Sequence, residues 1–185
     1  NTDRISDSMK YQIRTKNYEN SEFNLIRKHI KHDVPVVDLG VGIGYTICGS
    51  DRFTDDTTTV VGMEANPNMI PLIERTRVMN SADFDIINAG YHSKKDRIEF
   101  NISDDFWTSS ITNNVDSKQS QISLSSISLS ELLDDYSITD RVQLVVDIEG
   151  GEHDLITNEL DVLKEFCELL IIELHTGLGN DMNHY

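Results

Sequence analysis

The sequence predicts an α/β fold, a three-layer α/β/α sandwich around a mostly parallel, doubly wound sheet. Apolar runs of strand length alternate with amphipathic segments of helix length, and continuous apolar runs are typical of parallel strands covered by helices on both faces. Hydrophobic residues make up 38% of the 185 residues, which excludes a wholly disordered chain. Ligands of such sheets bind beyond the carboxyl ends of the strands. Polar residues stand at or near those ends, namely Asp38, Glu64, Asn88, Asp147, Glu173 and His175.

The strands are predicted from apolar runs bounded by turn residues. They cover residues 34–39, 58–63, 84–89, 98–102, 142–148 and 169–174. A further, weaker strand is predicted from the alternating apolar residues between Ile122 and Leu129. The alternation slips at Ser125-Ser126, which predicts a bulge or a turn.

The helices are predicted from their start signals. Ser21 can cap a first helix, and Asn66 followed by Pro67 is a strong start signal for another. Ser128 and Glu131 form a capping-box pattern before a third helix. A last helix is predicted over about residues 151–164.

The charge of the chain argues against several classes of partner. The sequence has 16 Lys+Arg and 32 Asp+Glu, a formal net charge of −16, which repels phosphate backbones and anionic lipid surfaces. We therefore expect no nucleic-acid partner. A carboxylate-rich surface is also typical of a halophilic protein, adapted to a salt-rich cytoplasm, which is an alternative explanation of the acidic excess.

Composition also excludes some compartments and sites. The two cysteines, Cys48 and Cys167, are too few for a disulfide-stapled secreted domain or a thiolate zinc cluster. The longest apolar run, residues 169–172, is far shorter than the roughly 20 residues that cross a bilayer. No signal peptide is visible, so a cytoplasmic protein without a membrane span is expected.

A glycine-rich loop follows the first strand and is the most informative segment. Gly40, Gly42 and Gly44 alternate after Asp38, and glycine lets the backbone adopt positive φ and pass close beneath a ligand. Asp38 would repel a pyrophosphate and suits a cationic or hydroxyl-bearing ligand. The dinucleotide fingerprint also requires glycine where Tyr45 stands. A simple tight turn from strand to helix is the alternative interpretation.

Glu64 ends the second strand, twenty positions after Gly44. A carboxylate there can accept two hydrogen bonds from a ribose diol, as in dinucleotide-binding folds. Alternatively, it is a surface acid near the start of the next helix, where acids are favourable. The glycine loop and this acid, in the right order and spacing, are more specific together than either is alone.

These segments resemble class I S-adenosylmethionine-dependent methyltransferases, and more narrowly the FkbM family, over about residues 34–175. The matching blocks are residues 36–44 (VVDLGVGIG), 61–67 (VGMEANP), 87–91 (INAGY), 129–133 (LSELL), 146–152 (VDIEGGE) and 171–175 (IIELH). The glycine loop is common to all class I enzymes, whereas the Asp-x-Glu-Gly-x-Glu block is fairly specific to this family. The resemblance implies an N-terminal helical segment over residues 1–33 and a methyltransferase domain over residues 34–185.

The resemblance also implies the roles of individual residues. The cofactor would be S-adenosylmethionine, with its ribose hydroxyls held by Glu64 and its adenine flanked by Asn88 and Ala89. Asp147 would lie near the sulfonium and the acceptor. The full set of predicted cofactor-binding residues is Asp38, Gly40, Gly42, Gly44, Glu64, Ala65, Asn88, Ala89 and Asp147. Ser109 and Ser110 match a small polar loop over the pocket.

The predicted reaction is methyl transfer to a hydroxyl of a sugar, glycan or secondary metabolite, in which a base helps remove the proton. Asp147 and His175 are the candidate catalytic residues, with His153 as a further candidate. Glu149 and Glu152 could orient the acceptor or simply start the next helix. No metal is assigned, although Asp147, Glu173 and His175 could form a hard-cation site.

Two other functions remain open. One is a nucleotide-linked oxidoreductase of the NAD type, against which Tyr45 weighs. The other is a non-catalytic cofactor-binding module. Val145 stands where the family commonly has lysine, Ser130 where it has aspartate, and little chain follows His175 for the antiparallel strand pair that usually ends the sheet.

Overall fold

The protein is described by a computed structural model that covers residue 11 and residues 19–102 and 120–175. Helices and strands alternate along these ranges. In chain order they are α1 (Asn20–His29), β1 (Val36–Leu39), α2 (Tyr45–Phe53), β2 (Val60–Met63), α3 (Ile70–Asn80), β3 (Asp85–Ile87), β4 (Gly90–Tyr91), β5 (Arg97–Ile102), β6 (Ser120–Ile127), α4 (Leu129–Asp135), β7 (Val142–Val146), α5 (Glu152–Asn158), α6 (Leu160–Phe166) and β8 (Cys167–Ile172).

The main sheet has five parallel strands in the order β3-β2-β1-β7-β8. Every residue of β1, β2 and β7 is buried, which explains why these strands read as continuous apolar runs. Successive side chains of a strand point to opposite faces, so each strand contributes side chains to two apolar clusters, one on each face of the sheet. Val37 and Leu39 pack with α4, α5 and α6, whereas Val36 packs with α1, α2 and α3. The predicted three-layer fold is confirmed.

A second, smaller sheet has the order β4-β6-β5. The pairing of β5 with β6 is antiparallel and in continuous register from Arg97–Ser125 to Ile102–Ser120. The bulge predicted at Ser125-Ser126 is therefore wrong, because β6 instead changes partner there and pairs Ser126 with Gly90. The Ser126 side chain takes the buried position of the alternation, where its hydroxyl donates to the carbonyl of Lys95.

The helix starts differ in part from the sequence prediction. Helix α1 begins at Asn20, so Ser21 lies inside it and is not its cap. Helix α3 begins at Ile70 rather than at Pro67, and Pro71 occupies its first turn, where a missing N–H costs no helical bond. The side chain of Asn66 caps the preceding turn instead, accepting from the N–H of Asn68 at 3.0 Å.

The last predicted helix is two helices, α5 and α6, that meet at Glu159. The capping box of α4 is confirmed, since the Ser128 side chain accepts from the Glu131 N–H and the Glu131 side chain accepts from the Ser128 N–H. The local capping signals in the sequence therefore located the start of α4 but not the starts of α1 and α3.

Helix α1 packs against α2 next to the main sheet. Ile26 is fully buried, and the ring of Phe23 lies 5.0 Å from that of Tyr45 and 6.0 Å from that of Phe53. The buried Gln143 of β7 joins this region to the sheet by accepting from the N–H of Lys31 and donating to the carbonyls of Lys31 and Val34. Within the described residues, no helix has the length and apolar character needed to cross a membrane.

Candidate active site

The carboxyl ends of the parallel strands bring the acidic residues to one edge of the sheet. Backbone hydrogen bonds continue past the strand ends, from the N–H of Asp147 to the carbonyl of Leu39 at 2.8 Å and from the N–H of Glu173 to that of Val146 at 2.9 Å. The N–H of Glu64 likewise donates to Ile87. The adjacent chain segments after β2, β1, β7 and β8 therefore form a continuous rim.

The glycine loop lies within this rim and depends on positive φ. Gly40, Gly42 and Gly44 have φ of 92°, 60° and 89°. A Cβ on Gly40 would lie 1.7 Å from the carbonyl oxygen of Asp147, so only glycine allows the loop to pass against the end of β7. Gly44 occupies the N-cap position of α2, which starts directly after the loop.

The carboxylate of Glu64 holds the glycine loop to the end of β2. It is 8% exposed and accepts from the N–H of Gly42 at 2.8 Å and from that of Asn66 at 2.7 Å. Burial raises the pKa of Glu64 to about 7, against the opposing effect of these two hydrogen bonds. Each carboxylate oxygen accepts one backbone donor here and has a second lone pair for a ligand hydroxyl.

Asp38 presents a buried acceptor beside the loop. It is 1% exposed, and its Oδ2 atom has no hydrogen-bond partner among the described residues. Burial raises the pKa of Asp38 to about 7, opposed by the hydrogen bond with Thr46 and reinforced by the nearby charges of Asp147 and Glu64. An unpaired buried carboxylate oxygen is costly, and a ligand N–H or O–H donor would satisfy it.

The predicted adenine-side residues lie at the ends of β2 and β3. The side-chain amide of Asn88 donates to the carbonyl of Glu64 at 2.7 Å and to that of Ala65 at 3.3 Å, which ties the two strand ends together. Ala89 is 1% exposed and its side chain belongs to the apolar core. The structure thus places the exposed Asn88 beside Glu64, whereas Ala89 is part of the core.

His175 stands at the centre of an acidic cluster after β8. Its Nδ1 atom lies 3.0 Å from Oε1 of Glu152. Its Nε2 atom lies 3.4 Å from Oε2 of Glu149, 3.7 Å from Oδ1 of Asp147 and 3.8 Å from Oε1 of Glu173. The two predicted catalytic residues, Asp147 and His175, are therefore in contact. His153, the third candidate, is exposed on α5 and lies outside this set of pairs.

Burial and the charges of neighbouring acids both shift the pKa values of the residues in this cluster. Burial raises the pKa of Asp147 to about 7, reinforced by the charges of Glu173 and Glu149 and opposed by His175. Partial burial lowers the pKa of His175, but the hydrogen bond with Glu152 and the charges of Glu149 and Asp147 outweigh it, so the net shift is upward. Asp147 and His175, whose pKa values are both shifted upward, thus face each other.

The same cluster bears on the hard-cation alternative. Asp147, Glu149 and His175 offer ligand-capable atoms within 4.8 Å of one another. Glu149 thus takes the place that the sequence alternative gave to Glu173. Ion pairing with His175 accounts for this arrangement equally well, so we assign no metal to it.

Sequence reasoning missed the roles of two buried acids. Glu152 was considered only as an acceptor-orienting or helix-starting residue, yet it contacts His175 directly. Glu159 was not singled out, yet its carboxylate accepts from the hydroxyl of Tyr91 and from the N–H groups of Leu129 and Ser130. Both partnerships are distant in sequence and leave no local pattern. Ser109 and Ser110 lie outside the described residues.

Comparison with solved structures finds similarity to parts of this chain. A putative transferase from Pyrococcus horikoshii is 21% identical over 37% of this chain and 26% of its own, with a TM-score of 0.33. The YcgJ protein from Bacillus subtilis is 15% identical over 38% of this chain and 30% of its own, with a TM-score of 0.34.

A Pyrococcus abyssi tRNA (uracil-54, C5)-methyltransferase, solved with S-adenosyl-L-homocysteine, is 20% identical over 43% of this chain and 21% of its own, with a TM-score of 0.32. The chain therefore spans less than a third of the length of each of these three proteins.

Comparison with curated proteins gives no match. The family comparison is more informative, because the model of the methyltransferase FkbM domain matches residues 38–184. This match begins at Asp38, extends beyond His175 and so includes the glycine loop, Glu64 and the acidic cluster. The chain belongs to the FkbM methyltransferase family, whose methyl donor is S-adenosylmethionine.

Proposed function

We propose that this protein transfers a methyl group from S-adenosylmethionine to a hydroxyl of a sugar, glycan or secondary metabolite. The observation that carries the proposal is the glycine loop, which packs against Asp147 with Asp38 and Glu64 on either side. This rim offers buried carboxylate acceptors and a close approach to backbone, which suits a cationic, hydroxyl-bearing ligand.

The residues of the rim fit the parts of this cofactor. Asp38 would accept from its amino group through the unpartnered Oδ2 atom, and Glu64 would accept from the ribose hydroxyls through its remaining lone pairs. Gly40, Gly42 and Gly44 would let the chain lie close beneath it. Ala65, Asn88 and Ala89 would flank the adenine side.

The reaction needs positioning and the removal of one proton. When bound, the cofactor supplies a methyl group on a positively charged sulfur, already activated for displacement. Asp147 and His175 lie together where an acceptor hydroxyl would meet that group, and either can take its proton near neutral pH. The rim and the loop would hold the reacting groups in line, which supplies much of the rate acceleration in such transfers.

Specific observations weigh on the two alternatives. A nucleotide-linked oxidoreductase would place a pyrophosphate at the loop, where Asp38 and Asp147 add negative charge. A non-catalytic module was suggested by Val145 and Ser130. Val145 is buried in the apolar core, so its side chain has a structural role. The backbone N–H of Ser130 donates to Glu159, a contact that does not depend on the Ser130 side chain.

Calorimetric titration of the protein with S-adenosylhomocysteine and, separately, with NAD tests the ligand. We expect S-adenosylhomocysteine to bind and NAD not to bind. Binding of NAD alone would favour the oxidoreductase and contradict the proposal.

A methyl-release assay over a panel of sugars, glycans and hydroxylated secondary metabolites then tests the reaction, with an RNA oligonucleotide as a contrasting acceptor. We expect turnover with a hydroxyl compound from the first group. Binding of S-adenosylhomocysteine without turnover on any acceptor would favour the non-catalytic module, and turnover on the RNA alone would refute the acceptor class.

A further inference from the structure

We infer that Glu152 is a positioning residue, which holds the ring of His175 so that its Nε2 atom faces the cleft with a free lone pair. This inference rests on the proposed function, in which His175 is one of the two candidate bases for the acceptor proton. It names the group that prepares His175 for that task.

The carboxylate of Glu152 is itself held in place. The residue is 4% exposed, although glutamate is rarely buried. The N–H of Gly150 donates to both of its oxygens, at 3.0 and 3.3 Å, and the N–H of Ile148 donates to Oε1 at 3.3 Å. The loop between β7 and α5 therefore wraps around this carboxylate and fixes its direction.

The contact with His175 determines which ring nitrogen carries the proton. A carboxylate accepts hydrogen bonds and does not donate them, so Nδ1 must donate across the 3.0 Å separation from Oε1 of Glu152. In the neutral ring the lone pair is then on Nε2.

The Nε2 atom faces the acids of the rim. The other three acids around the ring, Asp147, Glu149 and Glu173, all have Nε2 as their nearest ring nitrogen, at 3.4–3.8 Å. Glu152 itself is buried and lies on the Nδ1 side of the ring. It would act through His175, by orienting the ring and stabilising its charged form.

The proposed reaction moves one proton and one methyl group. The acceptor O–H bond breaks and its proton passes to Nε2, while the Nδ1 proton stays in the hydrogen bond with Glu152. The oxygen electron pair would form the new bond to the methyl carbon, and the electron pair of the bond that breaks would leave with the methyl donor. The imidazolium formed is stabilised by Glu152 and later loses its proton to water.

The test measures the tautomer and titration of His175 by long-range proton–nitrogen NMR on ¹⁵N-labelled protein with bound S-adenosylhomocysteine. The H175Q variant assigns the signal among the 6 histidines. In the unmodified protein we expect the neutral ring to carry its proton on Nδ1. A neutral ring with the proton on Nε2 would overturn the inference without any variant of Glu152.

Two variants separate positioning from charge. E152Q keeps the size of the side chain but presents an amide donor, so we expect the neutral ring to shift to the Nε2-protonated tautomer and its titration midpoint to move to lower pH. E149Q removes a negative charge that lies 3.4 Å from Nε2, on the other side of the ring. It should lower the midpoint but leave the proton on Nδ1. The same tautomer in E152Q as in the unmodified protein would contradict the inference.

E159Q is the matched structural control, since Glu159 is also a buried acid that accepts backbone hydrogen bonds. It should leave the titration and the tautomer of His175 unchanged.

Once an acceptor is known, E152Q should lower kcat by about 10²-fold or more and move the acid limb of the kcat profile to lower pH, with KM for the acceptor little changed. Failure of S-adenosylhomocysteine to bind the unmodified protein would refute the proposed function, whereas binding with an unaltered E152Q tautomer would refute only the role of Glu152.

Discussion

At the scale of single residues, Gly40 has the strictest requirement. Its φ of 92° disfavours any side chain, and a Cβ would also meet the carbonyl oxygen of Asp147 at 1.7 Å. Gly44 shares the first constraint, with φ of 89°, but the nearest atom to its Cβ position is Cβ of Thr76 at 3.4 Å. Comparing the two glycines therefore separates the cost of a left-handed backbone conformation from the cost of a collision with another backbone segment.

We predict that G40A destabilises the protein far more than G44A. The left-handed conformation alone costs about 1–2 kcal/mol for a side chain, which is the effect expected for G44A. In G40A the end of β1 must also move away from Asp147. Urea denaturation followed by circular dichroism measures both free energies of unfolding. Equal losses would show that the loop gives way easily at Gly40.

A second residue-scale prediction concerns Asp38 and pH. Its pKa is about 7 in the folded protein and about 3.9 in an unfolded chain. The folded state therefore binds more protons between these values, and this group lowers the free energy of unfolding as pH rises through that window. D38N removes the titration while keeping the shape of the side chain.

We therefore expect D38N to match the unmodified protein in stability at pH 4–5 and to exceed it at pH 8. Chemical denaturation at both pH values measures the difference. D38N should also bind S-adenosylhomocysteine more weakly at pH 8, because Asp38 is proposed to accept from the amino group. A stability difference that does not change with pH would contradict the raised pKa of Asp38.

The residues of the rim and of the acidic cluster differ in how readily they could be predicted from the sequence. Asp38, Gly40 and Glu64 could be found because a local backbone requirement and a fixed spacing mark them. Glu152 could not, because its partner His175 is on another strand, and only the parallel pairing of β7 with β8 brings the two together.

At the scale of secondary-structure elements, Glu159 joins three parts of the fold. Its carboxylate accepts from the Tyr91 hydroxyl at 2.6 Å and from the N–H groups of Leu129 and Ser130 at 2.9 Å each. It thereby connects β4 of the small sheet, the first turn of α4 and the junction between α5 and α6. This is a physical reason for the break in the helix that the sequence predicted as continuous.

We predict that E159Q lowers the free energy of unfolding by about 2–4 kcal/mol, because hydrogen bonds to charged groups contribute about 1.5–3 kcal/mol and buried donors lose their acceptor. S128A, which removes only the local cap of α4, should cost about 1 kcal/mol. Urea denaturation of the two variants under the same conditions gives the comparison. A smaller loss for E159Q than for S128A would show that the contacts of Glu159 are dispensable.

At the scale of the whole molecule, the net charge of −16 is the dominant property. Screening extends over about 30 Å at 0.01 M salt and about 3 Å at 1 M, so repulsion between surface carboxylates is strong only in dilute salt. If the acidic excess is an adaptation to salt, the folded state should be lost on dialysis into 0.01 M KCl and retained at molar KCl.

Circular dichroism after dialysis measures this, with sucrose in place of salt as the control. Sucrose favours the compact state without screening charge, so it should restore a fold lost through repulsion less effectively than molar KCl does. Full stability in dilute salt would exclude the salt-adaptation hypothesis. Solubility would then be the remaining explanation of the acidic surface.

The order of the elements was predictable at this scale, whereas their partners were only partly so. Continuous apolar runs at β1, β2 and β7 predicted a covered parallel sheet, because a strand buried on both faces has no polar alternation. The exchange of partners along β6 was not predictable, because the buried Ser126 mimics a break in the pattern until its hydrogen bond to Lys95 is known.

The position of β1 between β2 and β7 has a consequence for synthesis on the ribosome. Gly40 leaves the ribosome well before Asp147, the residue against whose carbonyl group its loop rests. In a nascent chain that ends between these two residues, the glycine loop lacks that contact. The proposed binding of the methyl donor at this loop would therefore begin only after Asp147 has been added.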